Sequence, residues 1–308
     1  AVLDLKERFS GGLARILPEP ESSLAGGLIV GTKQSLGAKL LPEFRAAGVI
    51  HLVVLSGYNI TIVAEAANRA LAFLPAIFSS AIGAIGILLF ALMTGAGATV
   101  VRASIMALLV IFARRVGRPY AIGRALLLAG SLMILQNPFI LVFDPSFQLS
   151  FLATFALVYV APILEPHMTR FPERFGLREI ATTTIATQIF VLPFILYTMG
   201  DMSIVAVPVN MLILGVVPLT MLLGFVGGLI GMVSTSVGMI VGLPAYALLA
   251  YMLGIVDTAS RLPLSVVHVP AFPFTVVASI YVVYAYIIYT VHKKRKEKEM
   301  IDRSYDRV

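Results

Sequence analysis

The sequence predicts an all-α, polytopic membrane helix bundle of about nine spans, some of them broken or re-entrant. Three observations carry that expectation. The chain is 59% hydrophobic and 13% charged, whereas soluble domains run near about 45–50% apolar and 25% charged. Apolar stretches of about 20 residues, the length that crosses a bilayer, follow one another through most of the chain. Glycine, proline and asparagine then interrupt several of these stretches, and such residues are poor in a helix interior. There is no cysteine, which excludes disulfides, thiolate catalysis and cysteine-bound metals. There is no tryptophan either, so any interfacial aromatic belt falls to the 11 tyrosines and 18 phenylalanines.

Residues 1–47 are expected to form extracytoplasmic interfacial amphipathic helices. Leu5, Phe9, Leu13, Ile16 and Leu17 recur at helical intervals, with Lys6, Glu7, Arg8 and Arg15 between them. Pro18-Glu19-Pro20 ends that segment, residues 22–32 are apolar but short, and Leu36, Leu40 and Phe44 make a second stripe. The chain begins with alanine, which implies processing or excision from something longer. The transmembrane domain follows over 48–292, with crossings expected at 48–67, 75–93, 97–113, 120–137, 146–164, 178–199, 207–231, 237–258 and 272–292. The region 203–231 reads equally as one long helix or as two half-helices. Residues 293–308 form a charged tail with seven basic and four acidic side chains. That tail therefore supplies +3 of the net +7, and the remaining +4 is ordinary for cytoplasmic loops.

Orientation follows from the bias of lysine and arginine toward the cytoplasm. With Lys293, Lys294, Arg295 and Lys296 placed inside, counting back puts Arg69, then Arg114, Arg115 and Arg118, then Arg170, Arg174 and Arg178 in cytoplasmic loops. The opposite loops hold little beyond Arg261. The six basic residues of 1–47 strain this rule, and helices preceding Ala1 would relieve it.

Polar groups inside apolar stretches are costly unless they face protein or water, so they are the candidate functional residues. Ser56-Gly57-Tyr58-Asn59 breaks the first span, with His51 before it and Glu65 after it. A break at that depth is either a kink satisfied internally or, as in transporters, a substrate site. Thr94 to Thr99 is small and polar enough for a re-entrant tip, and Arg102 follows. An arginine there either snorkels to the headgroups or faces a pathway and attracts an anion. Asp144-Pro145-Ser146-Phe147-Gln148-Leu149-Ser150 forms a polar knot at the start of another span. Gln188 lies beyond Thr182, Thr183, Thr184 and Thr187, whose hydroxyls can bond back to their own helix. Asn210 sits between Pro208 and Pro218. Gly227/Gly231 and Gly238/Gly242 have the spacing of close helix packing.

Enzyme signatures do not appear. No HExxH, GxSxG or P-loop pattern is present, and the four histidines His51, His167, His268 and His292 are scattered. A five-residue offset on a helix separates His51 from Ser56 by about 140°, which argues against an intramembrane hydrolase. The expected metal set is empty, no cofactor is expected, and the chain is read as a non-enzyme.

Several joined motifs resemble the competence domain of the ComEC-type competence family. His51-Leu52-Val53-Val54-Leu55-Ser56-Gly57-Tyr58-Asn59-Ile60 resembles its HLLAISGxxI stretch, and Arg102 to Ala107 resembles its RAxIMA segment. Asn137-Pro138 to Ala153 resembles its NPxxLxDPGFQLSFLA block, with Ser146 in place of the glycine, and Asn210 to Pro218 resembles its NLLxxPL stretch. The resemblance runs from about residue 20 to 290. It implies an inner-membrane channel of natural transformation that passes single-stranded DNA into the cytoplasm. The implied partners are single-stranded DNA, membrane lipid and other competence proteins, including a nuclease, a DNA receptor and a cytoplasmic motor.

The family's OB-fold and metallo-β-lactamase-like domains have no counterpart in this stretch, so nuclease activity is not assigned. The DNA pathway or pore lining implied is His51, Ser56, Tyr58, Asn59, Arg102, Asp144, Gln148, Ser150, Gln188 and Asn210. Arg102 would meet phosphates, and Tyr58, Phe147 and Phe151 would offer stacking surface, the phenylalanines being equally suited to packing. A lumen for a DNA strand is large for nine helices, which implies a homodimer or a gated, collapsed resting pore. Two other readings stand beside this one: a small-solute transporter using Ser56–Asn59, and a membrane scaffold without transport of its own.

Overall fold

The computed structural model describes residues 2–31, 36–53, 57–71, 73–173, 176–263 and 265–305. Helices dominate. In chain order they are α1 (Val2–Ile16), α2 (Glu21–Val30), α3 (Gly37–Ala46), α4 (Ile50–Val53), α5 (Gly57–Ala70), α6 (Ala76–Met93), α7 (Ala98–Val116) and α8 (Ile122–Gln136). Then come α9 (Ile140–Phe143), α10 (Pro145–Phe155), a π-helical turn (Ala156–Val160), α11 (Ala161–Leu164) and α12 (Leu177–Met199). The rest is α13 (Ala206–Ile213), α14 (Val217–Val233), α15 (Thr235–Ser260) and α16 (Phe274–Tyr305). Two three-residue strands, β1 (Asp201–Ser203) and β2 (Val266–His268), pair with each other. The chain divides into two compact units, Ala1–Phe151 with Ser203–Val266, and Leu152–Met202 with Val267–Val308.

The first unit is organised around α1. Phe9, Leu13 and Ile16 fall at i, i+4 and i+7, which places them on one face of the helix. That face is covered by protein: the three side chains lie in the main core with Leu24 and Leu28 of α2, Phe44 of α3, Leu52 of α4, Ile213 of α13, Met221 of α14 and Leu249 and Met252 of α15. The partner surface is built from glycine. A Cβ on Gly238 would fall 2.7 Å from the Gly231 Cα and 2.8 Å from the Ile16 Cγ2, and one on Gly228 would fall 2.8 Å from the Phe9 ring. Thus α14 and α15 meet backbone to backbone, and α1 lies in the shallow trough that their missing side chains leave. This is the packing expected of Gly227/Gly231 and Gly238/Gly242.

Among the described residues, four helices are long and apolar enough to cross a membrane: Pro145–His167, Leu177–Met199, Thr235–Ser260 and Phe274–Lys294. A fifth crossing results if α13 and α14, bent by 49° at their junction, form one broken span. The chain is a multi-pass helical membrane protein. The expected count of about nine is not reached by length and composition, for identifiable reasons. Helix α8 ends at the polar Asn137 after only 15 residues. Helix α7 is long enough at 19 residues but carries Arg102, Arg114 and Arg115. Between α6 and α7 the chain reverses through Gly95 (φ +83°) and Ala96 (φ +48°), where the Thr94 hydroxyl donates to the Ala91 carbonyl at 3.0 Å.

In the second unit, α12 contains Pro193. A proline has no N–H to offer the carbonyl four residues before it, here that of Ile189. The Tyr284 hydroxyl of α16 donates to that carbonyl at 3.1 Å, and the Tyr281 hydroxyl donates to the Phe190 carbonyl at 3.0 Å. The Phe190 ring stacks on both Phe155 and Tyr284. A second proline, Pro162, follows the π-helical turn, the local widening by which a helix accommodates such a residue. Thr182 and Thr183 donate to the carbonyls of Arg178 and Glu179 four residues back, as expected for threonine in an apolar helix.

Gly238→Ala should lower the Tm of the detergent-solubilised protein, because overpacking against backbone costs about 1–3 kcal/mol. Gly86→Ala, whose Cβ meets nothing within 4 Å, should leave the Tm unchanged or raise it, since alanine is the better helix former by about 1 kcal/mol. Equal losses in both variants would refute the glycine crossing.

Candidate functional site, a buried arginine

Helices α5, α7 and α10 meet in the first unit, and Arg102 stands at their meeting point. Helix α7 starts after Gly97 in extended conformation, so Arg102 occupies its second turn. Only 7% of the residue is exposed, which leaves solvent little part in stabilising its charge. Its Nε donates to the Ser150 Oγ at 2.7 Å, and its Nη1 contacts the Met106 Sδ at 3.2 Å. Its Nη2 lies against the Cα of Gly57, where a Cβ would stand 2.5 Å away.

Among the described residues, no carboxylate pairs with this guanidinium. The ion pairs are Arg69–Glu65, Arg178–Glu173, Arg261–Asp257 and His268–Asp201, each with at least one exposed member. A guanidinium has five N–H donors in a planar fork suited to carboxylate or phosphate oxygens. Here one is used by a neutral hydroxyl and one meets a weak sulfur acceptor.

The polar residues around Arg102 have defined local work. The Asp144 Oδ1 accepts from the backbone N–H of Ser146 at 2.8 Å and of Phe147 at 3.2 Å, so Asp144 caps the start of α10. The Gln148 Nε2 donates to the carbonyls of Leu141 at 2.8 Å and Val142 at 3.1 Å, covering the end of α9. Asn59 is completely buried, and its Nδ2 donates to the carbonyls of Leu28 at 3.1 Å and Leu52 at 3.3 Å. It fastens the end of α2 and α4 to α5. The Tyr58 hydroxyl donates at 3.1 Å to the carbonyl of Leu214 at the bend between α13 and α14. Pro218 lies four residues after Leu214 and cannot supply the N–H that this carbonyl would otherwise receive.

Of the ten residues expected from the sequence, Arg102 and Ser150 are thus in direct contact, and Asp144 and Gln148 support the helix that carries Ser150. Tyr58 and Asn59 lie beside Gly57 in the first turn of α5. Asn210 is buried in α13 with its Oδ1 unpartnered. His51 is exposed on α4, and Gln188 is half-buried on α12 of the second unit. Ser56 lies outside the described residues. Phe147, offered as stacking surface, is buried against Phe151 with ring centroids 4.3 Å apart. Sequence reasoning missed Met106, although its i+4 spacing from Arg102 marks it as a neighbour on the same helix face. It also missed Ser104, whose buried Oγ has no partner and which no sequence signal singles out.

Replacing Asp144 separates its cap from its charge. Asparagine caps a helix about as well as aspartate, so Asp144→Asn should keep the wild-type Tm while Asp144→Ala loses about 1 kcal/mol of stability. A loss shared equally by both variants would mean that the charge matters beyond the cap.

The family model described as "Competence protein" matches residues 28–294. The chain is 26% identical to the ComE operon protein 3 of Bacillus subtilis (strain 168) over 244 residues, which cover 74% of this chain and 29% of that protein. It therefore spans under a third of the length of that relative. No solved structure matches the chain.

Proposed function

The chain belongs to the Competence protein family, and from that premise we propose that it is a membrane channel core importing single-stranded DNA during natural transformation. The observation that carries this reading is the buried, carboxylate-free guanidinium of Arg102. A cation kept in an apolar bundle is costly, and such residues mark the paths of charged substrates. A phosphodiester backbone supplies oxygens that fit the guanidinium fork. Because a neutral hydroxyl competes only weakly for the donors, phosphates can replace one another as the strand advances. Conduction requires this balance of binding and release.

The same reading places the protein in the bacterial cytoplasmic membrane with about nine crossings and a cytoplasmic C-terminus. The shorter helices α5, α6 and α8 complete crossings together with the breaks beside them. A nuclease, a DNA receptor and a cytoplasmic motor act as separate partners, and the chain itself performs no catalysis.

A second reading, a small-solute transporter, draws on the Tyr58–Leu214 hydrogen bond. It ties α5 to the 49° bend between α13 and α14, and discontinuous helices build substrate sites in transporters.

Sealed proteoliposomes containing only this chain, offered labelled single-stranded oligonucleotide, test the proposal. Nuclease-protected internal label should accumulate, should fall at least about ten-fold in Arg102→Ala, corresponding to about 1.4 kcal/mol at one contact, and should be partly retained in Arg102→Lys. Accumulation of a small organic anion without oligonucleotide would favour the transporter. Equal oligonucleotide uptake by wild type and Arg102→Ala would remove Arg102 from the path.

A further inference from the structure

We propose that Gly57 is a positioning residue for Arg102: it is the side-chain-free seat that lets the guanidinium reach the first turn of α5. Three observations carry this. A Cβ on Gly57 would lie 2.5 Å from the Arg102 Nη2 and 3.7 Å from its Cζ, so any other residue type pushes the charged head away. The remaining close neighbour of that Cβ is the Ala103 Cβ at 3.6 Å, an ordinary contact, so the obstruction comes from Arg102 alone. The guanidinium is also engaged by Ser150 and Met106, so moving away from a new Cβ would disturb these contacts.

Position matters because the charge is uncompensated: no carboxylate among the described residues pairs with the Arg102 head. Such a head is complementary to an anionic oxygen. Displacing the guanidinium would strain its 2.7 Å bond to Ser150. Gly57 therefore sets where the charge stands, while Arg102 supplies it. The positioning does not depend on what passes the site; its consequence for transport rests on the DNA reading.

The test is a double-mutant cycle with a direct readout of the arginine. In arginine-labelled protein in detergent, the Arg102 Nε–H signal, assigned by its absence in Arg102→Lys, should be protected from exchange by the Ser150 bond. Gly57→Ala should speed that exchange by about ten-fold or more and lower the Tm. In an Arg102→Ala background the same Gly57→Ala change should leave the Tm unaltered, since the obstructing group is gone. Arg102→Lys, whose head lacks the Nη2 atom, should restore stability to Gly57→Ala. The proposal is overturned if Gly57→Ala leaves the Nε–H exchange unchanged, or if it costs the same Tm with and without Arg102. If the cycle holds but Gly57→Ala imports oligonucleotide as well as wild type does, the positioning stands and the DNA path is what fails.

Discussion

A positive charge buried in an apolar bundle constrains everything near it. Removing an arginine from water without a counter-ion costs several kcal/mol, and even a translocon scale charges about 2.5–3.5 kcal/mol at a helix centre. The chain accommodates Arg102 with one hydroxyl, one thioether and one missing side chain. Two of these come from sequence that is otherwise awkward in an apolar protein: the end of a polar knot, and a glycine beside the polar Tyr58-Asn59 pair. Ser150 can face Arg102 because α10 starts at a defined place, and Asp144 and Gln148 define that start. Gly57 can face it because Asn59 locks α5 to α2 and α4.

A second constraint shapes the rest of the chain. In a bilayer, a carbonyl released by a proline is re-satisfied by neighbouring helices, side chains, ordered water or local backbone adjustment. In the first unit, Tyr58 serves the carbonyl freed by Pro218; in the second unit, Tyr284 serves the one freed by Pro193. Both are tyrosines, whose ring is at home among apolar side chains and whose hydroxyl reaches across to a neighbouring helix. Glycine does the converse work at the crossing of α14 and α15, where contact between backbones holds the helices without polar groups.

The fold class was legible because composition and apolar run length report directly on the bilayer. The glycine pairs were legible because their four-residue spacing has one geometric meaning. Span number was harder to read: α8 is short of a full crossing at 15 residues, and α7 has the length but carries three arginines. The work of Asp144, Gln148 and Asn59 was hidden for a different reason. Each bonds to backbone, and which carbonyl or N–H needs a partner depends on where helices stop, the least legible property of a sequence. Gly57 and Arg102 were each visible as oddities in their own segments, but 45 positions separate them, and periodicity carries no information about contact at that range. The apolar stripe of α1 was read correctly as a stripe; that it lies in a trough of glycines follows only from tertiary packing.

A DNA strand that passes through this protein should touch the seat of Arg102. Because the native chain has no cysteine, single cysteines can be placed without background at position 106 beside the guanidinium and at position 86 on α6, where no side chain is crowded. Thiol-reactive single-stranded oligonucleotide, stalled during uptake, should cross-link to Met106→Cys and spare Gly86→Cys. Cross-linking at 86 with none at 106, in protein that still imports the strand, would show that DNA travels elsewhere and that the buried arginine serves another purpose.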